Sequence, residues 1–216
     1  MPGSTEKYSL PALPLDQNPC MEPLTLTTER LLMRPFTPED ADAVHTACQD
    51  PKIQRWTVVP SPYTRADAEL FTRELSPAGW QDGTMYNFAV LLRGGGPLVG
   101  ALGVNRRDVP GTYEVGFWTA EEHRGAGLMT EAVLAAARWT FTALAADRFE
   151  WRAEIGNTAS RAVALRAGFR MEGEQRSALL NKGIRRDTWT GALLPADLGL
   201  PGTRPHRATP DVSGAP

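Results

Sequence analysis

One stretch of the 216-residue chain limits its fold more than any other. YEVGFWT, Tyr113 to Thr119, reads as a strand. It leads through Ala120-Glu121-Glu122-His123 into Arg124-Gly125-Ala126-Gly127, and a long helix begins at once, from about Leu128 to Leu144. A strand passing through a glycine turn straight into a helix belongs to a layered α/β architecture. Glycines let the backbone turn tightly and approach a ligand. The first helical turn carries unpaired N–H groups and the positive end of the helix dipole. Together these favour a phosphate or pyrophosphate. One exposed charge–dipole term contributes only ~0.3–1 kcal/mol, so several N–H groups have to converge on the anion.

The neighbouring segments supply the rest of a mixed sheet. LLMRPF, Leu31 to Phe36, reads as a strand, and Thr37-Pro38-Glu39-Asp40 opens a helix with Ala41, Val44 and Cys48 on one face. Thr64 and Asp67 open another, with Ala68, Phe71 and Leu75 as its apolar stripe. Asn87 to Arg93 and Pro97 to Val104, joined by Gly94-Gly95-Gly96, predict a hairpin. Arg148 to Ile155 predicts a strand, Thr158 to Ala167 a helix ended by Gly168, and Phe169 to Gln175 and Ile184 to Leu193 the last strands. The expected fold is α/β, a mostly antiparallel mixed sheet flanked by helices.

Hydrophobic residues at 42% and charged residues at 22% exclude a wholly disordered chain. The net charge of −2 and pI near 6.0 argue against a general nucleic-acid binder or a polybasic membrane partner. No apolar run approaches the ~20 residues of a membrane span, and the start, MPGSTEKYSLPALP, does not read as a secretory signal. Cys20 and Cys48 make no disulfide framework, so a cytoplasmic protein is expected. Five prolines within residues 1–23 and the Gly/Pro-rich end predict poorly ordered tails at 1–23 and 196–216 around one domain at about 24–195.

Three phosphate loops compete for Arg124 to Thr130. A P-loop needs lysine and then Ser or Thr where Leu128-Met129 stand. A dinucleotide fingerprint needs glycine where Thr130 stands, and would occupy a first strand–helix unit, so a nucleotide-dependent oxidoreductase fits poorly. The third option is the pyrophosphate loop of coenzyme A enzymes. ERLLMRPFTPEDA, the glycine-joined hairpin, EVGFWTAEEHRGAGLMTEA and NTASRAVALRAGFRMEG together resemble the GCN5-related N-acetyltransferase (GNAT) superfamily. Within it, the pattern is most similar to the RimJ/RimL type of ribosomal-protein N-terminal acetyltransferases. Glu122 departs from the family loop, which has Gln or Arg there.

The resemblance implies a single GNAT-like domain in which acetyl-CoA lies between two splayed central strands, Tyr113 to Thr119 and Arg148 to Ile155. The backbone of Phe117, Trp118 and Thr119 would pair with pantetheine. Arg124, Gly125, Ala126, Gly127, Leu128, Met129 and Thr130 would hold the pyrophosphate, with no metal. Asn157 and Ser160 match the family's Asn-x-x-Ser, so Asn157 would contact pantetheine and Ser160 would donate to the departing thiolate; both also suit the capping of the helix that follows. RimL-type enzymes carry a glutamate base where this chain has Leu179; LL, Gly183 and Arg186-Asp187 instead match the RimJ-like pattern. Glu114 is the first base expected in its place, although an ion pair with Arg152 explains it equally well. Trp56, Tyr63, Trp80 and Tyr86 suit either an acceptor site or plain burial, and Arg185-Arg186 either an acidic acceptor or a surface ion pair.

Acyl transfer needs a neutral amine and a donor for the oxyanion, here the N–H of Trp118 or Thr119. A lysine, pKa ~10.4, offers several hundred times less free base at neutral pH than an α-amine near 8, a handicap of about 3.5 kcal/mol. The expected reaction is acetyl transfer from acetyl-CoA to an amine, a protein N-terminus first. A small-molecule acceptor such as an antibiotic or polyamine, a succinyl-CoA donor, and a CoA-binding module without catalysis are the alternatives. A homodimer is allowed. Acceptor contacts are expected from loops such as Thr57 to Thr64 and Ser76 to Met85.

Overall fold

The computed structural model describes residues 21–205. Among them, β1 (Leu26–Thr27), β2 (Leu31–Pro35), β3 (Met85–Leu92), β4 (Leu98–Arg106), β5 (Thr112–Thr119), β6 (Arg148–Glu154), β7 (Arg170–Asn181) and β8 (Ile184–Leu193) form one sheet. Its order is β1-β2-β3-β4-β5-β6-β8-β7. Every neighbouring pair is antiparallel except β5 and β6. Helices α1 (Ala41–Ala47), α2 (Pro51–Trp56), α3 (Arg65–Leu70) and α4 (Ser76–Asp82) lie between β2 and β3 in sequence; α5 (Leu128–Ala143) joins β5 to β6, and α6 (Thr158–Arg166) joins β6 to β7. Parallel neighbours need a crossover, and α5 is that crossover. No helix of these residues is long and apolar enough to cross a membrane.

The sheet is packed on both faces because its strands carry apolar residues at alternating positions for each. Tyr86, Phe88, Leu102, Val104, Val115 and Trp151 point to one face and meet Met129, Ala132, Val133, Ala136 and Ala137 of α5. The alanines of α5 allow close approach of helix to sheet, and Trp80, Tyr86, Phe88 and Trp139 stack mostly edge to face beside it. Ala89 and Ala101 on the opposite face sit under Val44, Cys48, Ile53 and Ala68 of α1 to α3. Burial alone pushes the Cys48 thiol up to about 12, as for a small core hydrophobe.

The start signals act as the sequence suggests. Asp67 Oδ2 accepts from the Thr64 N–H at 2.8 Å while Thr64 Oγ1 accepts from the Asp67 N–H at 3.2 Å. Asp40 Oδ2 likewise accepts from the Thr37 N–H at 2.8 Å, and both Asp40 oxygens accept from the Arg34 fork at 2.7 and 2.8 Å. Burial opposes the Asp40 charge, but the Arg34 fork and the Thr37 N–H outweigh it and hold the carboxyl below its ordinary value. A depressed carboxyl contributes stability above its unfolded pKa, about 3.9, and loses it as pH falls through the folded value. Asp40→Asn is therefore expected to cost roughly 2–4 kcal/mol near neutral pH. Chemical denaturation should show that difference shrinking below about pH 4; a pH-independent difference rejects the ion pair as its source.

Three departures have physical causes. The short helices α2 and α4 lie outside the elements that the sequence pattern predicts. Asp50-Pro51 does mark the start of α2, with Asp50 Oδ1 accepting from the Lys52 N–H at 2.7 Å, but six residues give little periodicity to read. Part of the expected loop Ser76 to Met85 is α4, reached from α3 through a wider π turn at Phe71–Leu75. Parts of the expected tail segments also make contacts with the domain. Met21, Leu198 and Leu200 pack against the main core, Arg138 donates to the Leu198 carbonyl, and Arg204 pairs with Asp147. A few apolar residues in a Pro/Gly-rich segment suffice to dock it. The rest of both predicted tails, 1–20 and 206–216, lies outside the described residues.

Candidate active site

The parallel ladder between β5 and β6 is short. Thr112 to Val115 pair with Arg148 to Trp151, and there it ends. Beyond that point Phe117, Trp118 and Thr119 stay paired to Leu102, Ala101 and Gly100 of β4, while Arg152, Ala153 and Glu154 stay paired to β8. Each strand follows its outer neighbour, so the facing inner edges part and leave backbone groups unpaired. Such an edge can take an extended amide-bearing chain as an added strand. A cavity of about 830 Å³ fills the gap, with Phe117, Trp118 and Thr119 on its wall. Phe117 packs its side chain on the α5 side and Trp118 on the opposite side, which leaves the strand's backbone edge to the cavity.

The glycine loop lies at the cavity rim. Gly125 and Gly127 have φ of +78° and +75°, values that favour glycine. Gly127 is the N-cap of α5 and brings no side chain to cap the helix. The first backbone donor to close an α-helical bond is Glu131, onto the Gly127 carbonyl at 3.1 Å. The N–H groups of Leu128, Met129 and Thr130 precede it and have no intrahelical partner. Those three residues, with Arg124, Gly125 and Gly127, line the cavity. The donors and glycines present therefore fit a diphosphate. Ala126 does not line the cavity; its carbonyl accepts from Arg30 Nη1 at 2.9 Å. The Arg124 guanidinium is turned inward, onto the Thr119 carbonyl at 3.1 Å and onto Asp50, so Arg124 braces the loop with its side chain.

The sequence reading missed that bracing and a second one. Arg30 holds Glu131 through Nε to Oε2 at 2.6 Å, and Glu131 Oε1 accepts from Thr28 Oγ1 at 2.5 Å. Burial disfavours the Glu131 charge, but the Thr28 and Arg30 bonds hold its carboxyl below the ordinary range. The start of α5 is thereby tied to the turn between β1 and β2. Neither contact has a local sequence signal, since the partners are separated by some 75 to 100 residues.

Asn157 and Ser160 both reach the cavity wall. Asn157 Oδ1 accepts from the Ser160 N–H at 3.3 Å, so the capping role is real. Ser160 Oγ accepts from Trp151 Nε1 at 3.0 Å, which orients the hydroxyl and leaves its own proton to donate elsewhere. Glu114 also lines the cavity, from the other face of the sheet, and is ion-paired with Arg152, Nη2 to Oε2 at 2.6 Å and Nε to Oε2 at 2.9 Å, with Arg107 Nη1 at 3.5 Å. All three contacts fall on Oε2; Oε1 stays outside the ion pair. The other carboxylate at this end, Glu154, has each oxygen held by the Arg55 fork, at 2.8 and 2.6 Å. Those bonds overcome burial and hold Glu154 below its ordinary range, which makes it a poor proton acceptor.

Trp56, Tyr63 and Leu179 line the other half of the cavity, along with Val58 and Leu75. Trp80 and Tyr86 do not; they are 2% and 0% exposed and belong to the core. Arg186 Nε approaches Glu154 at 3.8 Å, and Arg185 donates to the Ser177 carbonyl.

The sequence matches a family model described as an acetyltransferase (GNAT) domain over residues 30–170. An uncharacterised N-acetyltransferase p20 of Bacillus licheniformis is 28% identical over 171 residues, covering 79% of this chain and 96% of the relative. A ribosomal-protein-serine acetyltransferase of Escherichia coli is 34% identical over 77 residues, 35% of this chain and 43% of that protein. The solved structure of Mycobacterium smegmatis RimJ in complex with CoA-disulfide superposes with a TM-score of 0.70 at 25% identity, covering 78% of this chain and 84% of the other. A cleft between parting strands, a glycine loop opening α5 and a family match that spans both identify the chain as a member of the GNAT acetyltransferase family.

Proposed function

We propose that this N-acetyltransferase carries the acetyl group of acetyl-CoA to the α-amino group of a protein or peptide. The observation that carries the reading is the supply of carboxylates where β5 and β6 part; His123 and Asp67 line the cavity from the turn before the glycine loop and from α3. Leu179 is apolar, both Glu154 oxygens are held by Arg55, and Glu114 offers one unpaired oxygen. A single carboxylate is a weak base, suited to an amine already partly neutral at physiological pH. The name of the Escherichia coli relative, a ribosomal-protein-serine acetyltransferase, supports the same acceptor class.

In this reading the inner edge of β5 pairs with pantetheine, and the N–H groups of Leu128 to Thr130 hold the diphosphate. The N–H of Thr119, on the edge that faces away from β4, donates to the oxyanion as the C–N bond forms; Trp118, like Ala120, turns its N–H to β4. The amine proton passes through a water to Glu114 Oε1. As the C–S bond breaks, the Ser160 hydroxyl donates to the departing thiolate. The test is a thiol-release assay with mass-spectrometric product mapping, offering peptides with free N-termini, lysine side chains, polyamines and aminoglycosides with acetyl- or succinyl-CoA. Acetylation at α-amines is expected. Turnover confined to small amines replaces the protein acceptor, and silence across all classes favours a CoA-binding module.

A further inference from the structure

Across the cavity face of the sheet, one row of cross-strand neighbours consists of Asn87 on β3, Gly103 on β4 and Gly116 on β5. Residues opposite one another in an antiparallel ladder share a face. The row therefore has a side chain at its β3 end and none over the next two strands. A Cβ at Gly116 would meet nothing within 4 Å, so that end is open; a Cβ at Gly103 would stand 2.8 Å from Asn87 Oδ1, so glycine there gives the carboxamide its room. The flanking rows are filled, by Ala101 and Trp118 on one side and by Asn105 and Glu114 on the other. The result is a lane two strand spacings long, roughly 9–10 Å, running from Asn87 to the point where β5 and β6 part.

Asn87 is 6% exposed and lines the cavity, yet its Nδ2 is buried with no hydrogen-bond partner. An unmade buried donor of this kind costs about 1–3 kcal/mol. Its backbone is fixed, with Trp80 Nε1 donating to its carbonyl at 3.1 Å, but the terminal amide torsion is broad and two-fold. A half turn of the amide exchanges Oδ1 for Nδ2 above Gly103. What the donor lacks is an oxygen, and the lane is where a ligand can bring one.

We propose that Asn87 is a specificity residue for the acceptor: its Nδ2–H donates to the carbonyl oxygen of the acceptor's first residue, lying over Gly103, while the α-amine lies over Gly116 beside Glu114. This rests on the α-amine reading above and narrows it. The acceptor class is a peptide or amino-acid amide, with a carbonyl next to the carbon that bears the amine, and simple alkylamines are poor substrates.

The test compares two acceptors, an alanyl peptide and the same peptide with its first amide replaced by an E-alkene, which keeps the shape and removes the carbonyl. Wild type, Asn87→Leu and Gly103→Ala are assayed for kcat/KM with both. Differences in amine pKa between the two acceptors cancel when the preference ratio is compared between enzymes. The preference for the carbonyl acceptor is expected to fall about tenfold in each variant, the effect of losing one buried neutral hydrogen bond. Acetyl-CoA affinity by calorimetry should stay at the wild-type value, which also shows that the fold is intact. An unchanged preference in Asn87→Leu overturns the assignment while leaving the α-amine reading in place; if that variant fails to bind acetyl-CoA, Gly103→Ala decides on the same criterion. Wild-type enzyme that binds acetyl-CoA but turns over no peptide overturns the α-amine reading and the Asn87 assignment together.

Discussion

Replacing Gly125 and Gly127 together by valine is expected to lower acetyl-CoA affinity about a hundredfold in calorimetry without unfolding the protein. Both residues sit at positive φ, +78° and +75°. A side-chain-bearing residue held there costs roughly 1–2 kcal/mol per position, so two give the expected factor. Steric collision with the rest of the protein is a small part of it. A Cβ at Gly125 would meet nothing within 4 Å, and at Gly127 the nearest atom, Arg30 Nη2, is 3.7 Å away. The loop instead relaxes to negative φ, and the N–H groups of Leu128, Met129 and Thr130 no longer converge. Ala126→Val is the control. Ala126 has no positive φ and engages Arg30 only through its carbonyl, so its affinity should stay within about threefold of wild type. Wild-type affinity in a folded double variant would remove the loop from the binding site.

Why this loop was legible while its braces were not follows from where each signal lies. Gly125, Gly127 and the start of α5 are contiguous, and their chemistry depends on backbone geometry that a few adjacent residues dictate. Thr37 with Asp40 and Thr64 with Asp67 are likewise three residues apart, and both form their caps. The partings of β5 from β6 came through family resemblance, since strand order is a long-range property that periodicity does not encode. The sequence groups Arg124 with the loop, but the side chain turns to Asp50, 74 positions earlier. The sequence offers four aromatics equally for the acceptor wall; Trp56 and Tyr63 reach it and Trp80 and Tyr86 do not, because which side of the sheet each packs against is a tertiary property that local sequence does not carry. Asn87 carried no sequence signal at all. Its interest comes from two glycines on neighbouring strands, Gly103 and Gly116, that the sheet register sets in line with it.

Glu114→Gln is expected to lower kcat about a hundredfold with a peptide acceptor, at the low end of what a positioned general base contributes, and to leave acetyl-CoA affinity unchanged. The substitution keeps the size of the side chain and removes its charge. Arg152 and Arg107 lose their anion, but their side chains are 24% and 39% exposed, so water can solvate them and the fold should survive. The pH dependence separates a base from a structural ion pair. With Oε1 present, the enzyme can take the proton from a bound acceptor through water, and the rate falls only gently below the amine pKa. Without it, only acceptor that arrives already neutral reacts. The rate should then rise tenfold per unit of pH up to the α-amine pKa, about 8. A purely structural Glu114 predicts a different result: a lower rate at every pH with the profile unchanged in shape. That outcome would leave Glu114 as the anchor of Arg152 alone. The amine's own basicity, bulk water or another group on the cavity wall, such as His123, would then have to carry the deprotonation, since both oxygens of Glu154 are already taken by Arg55.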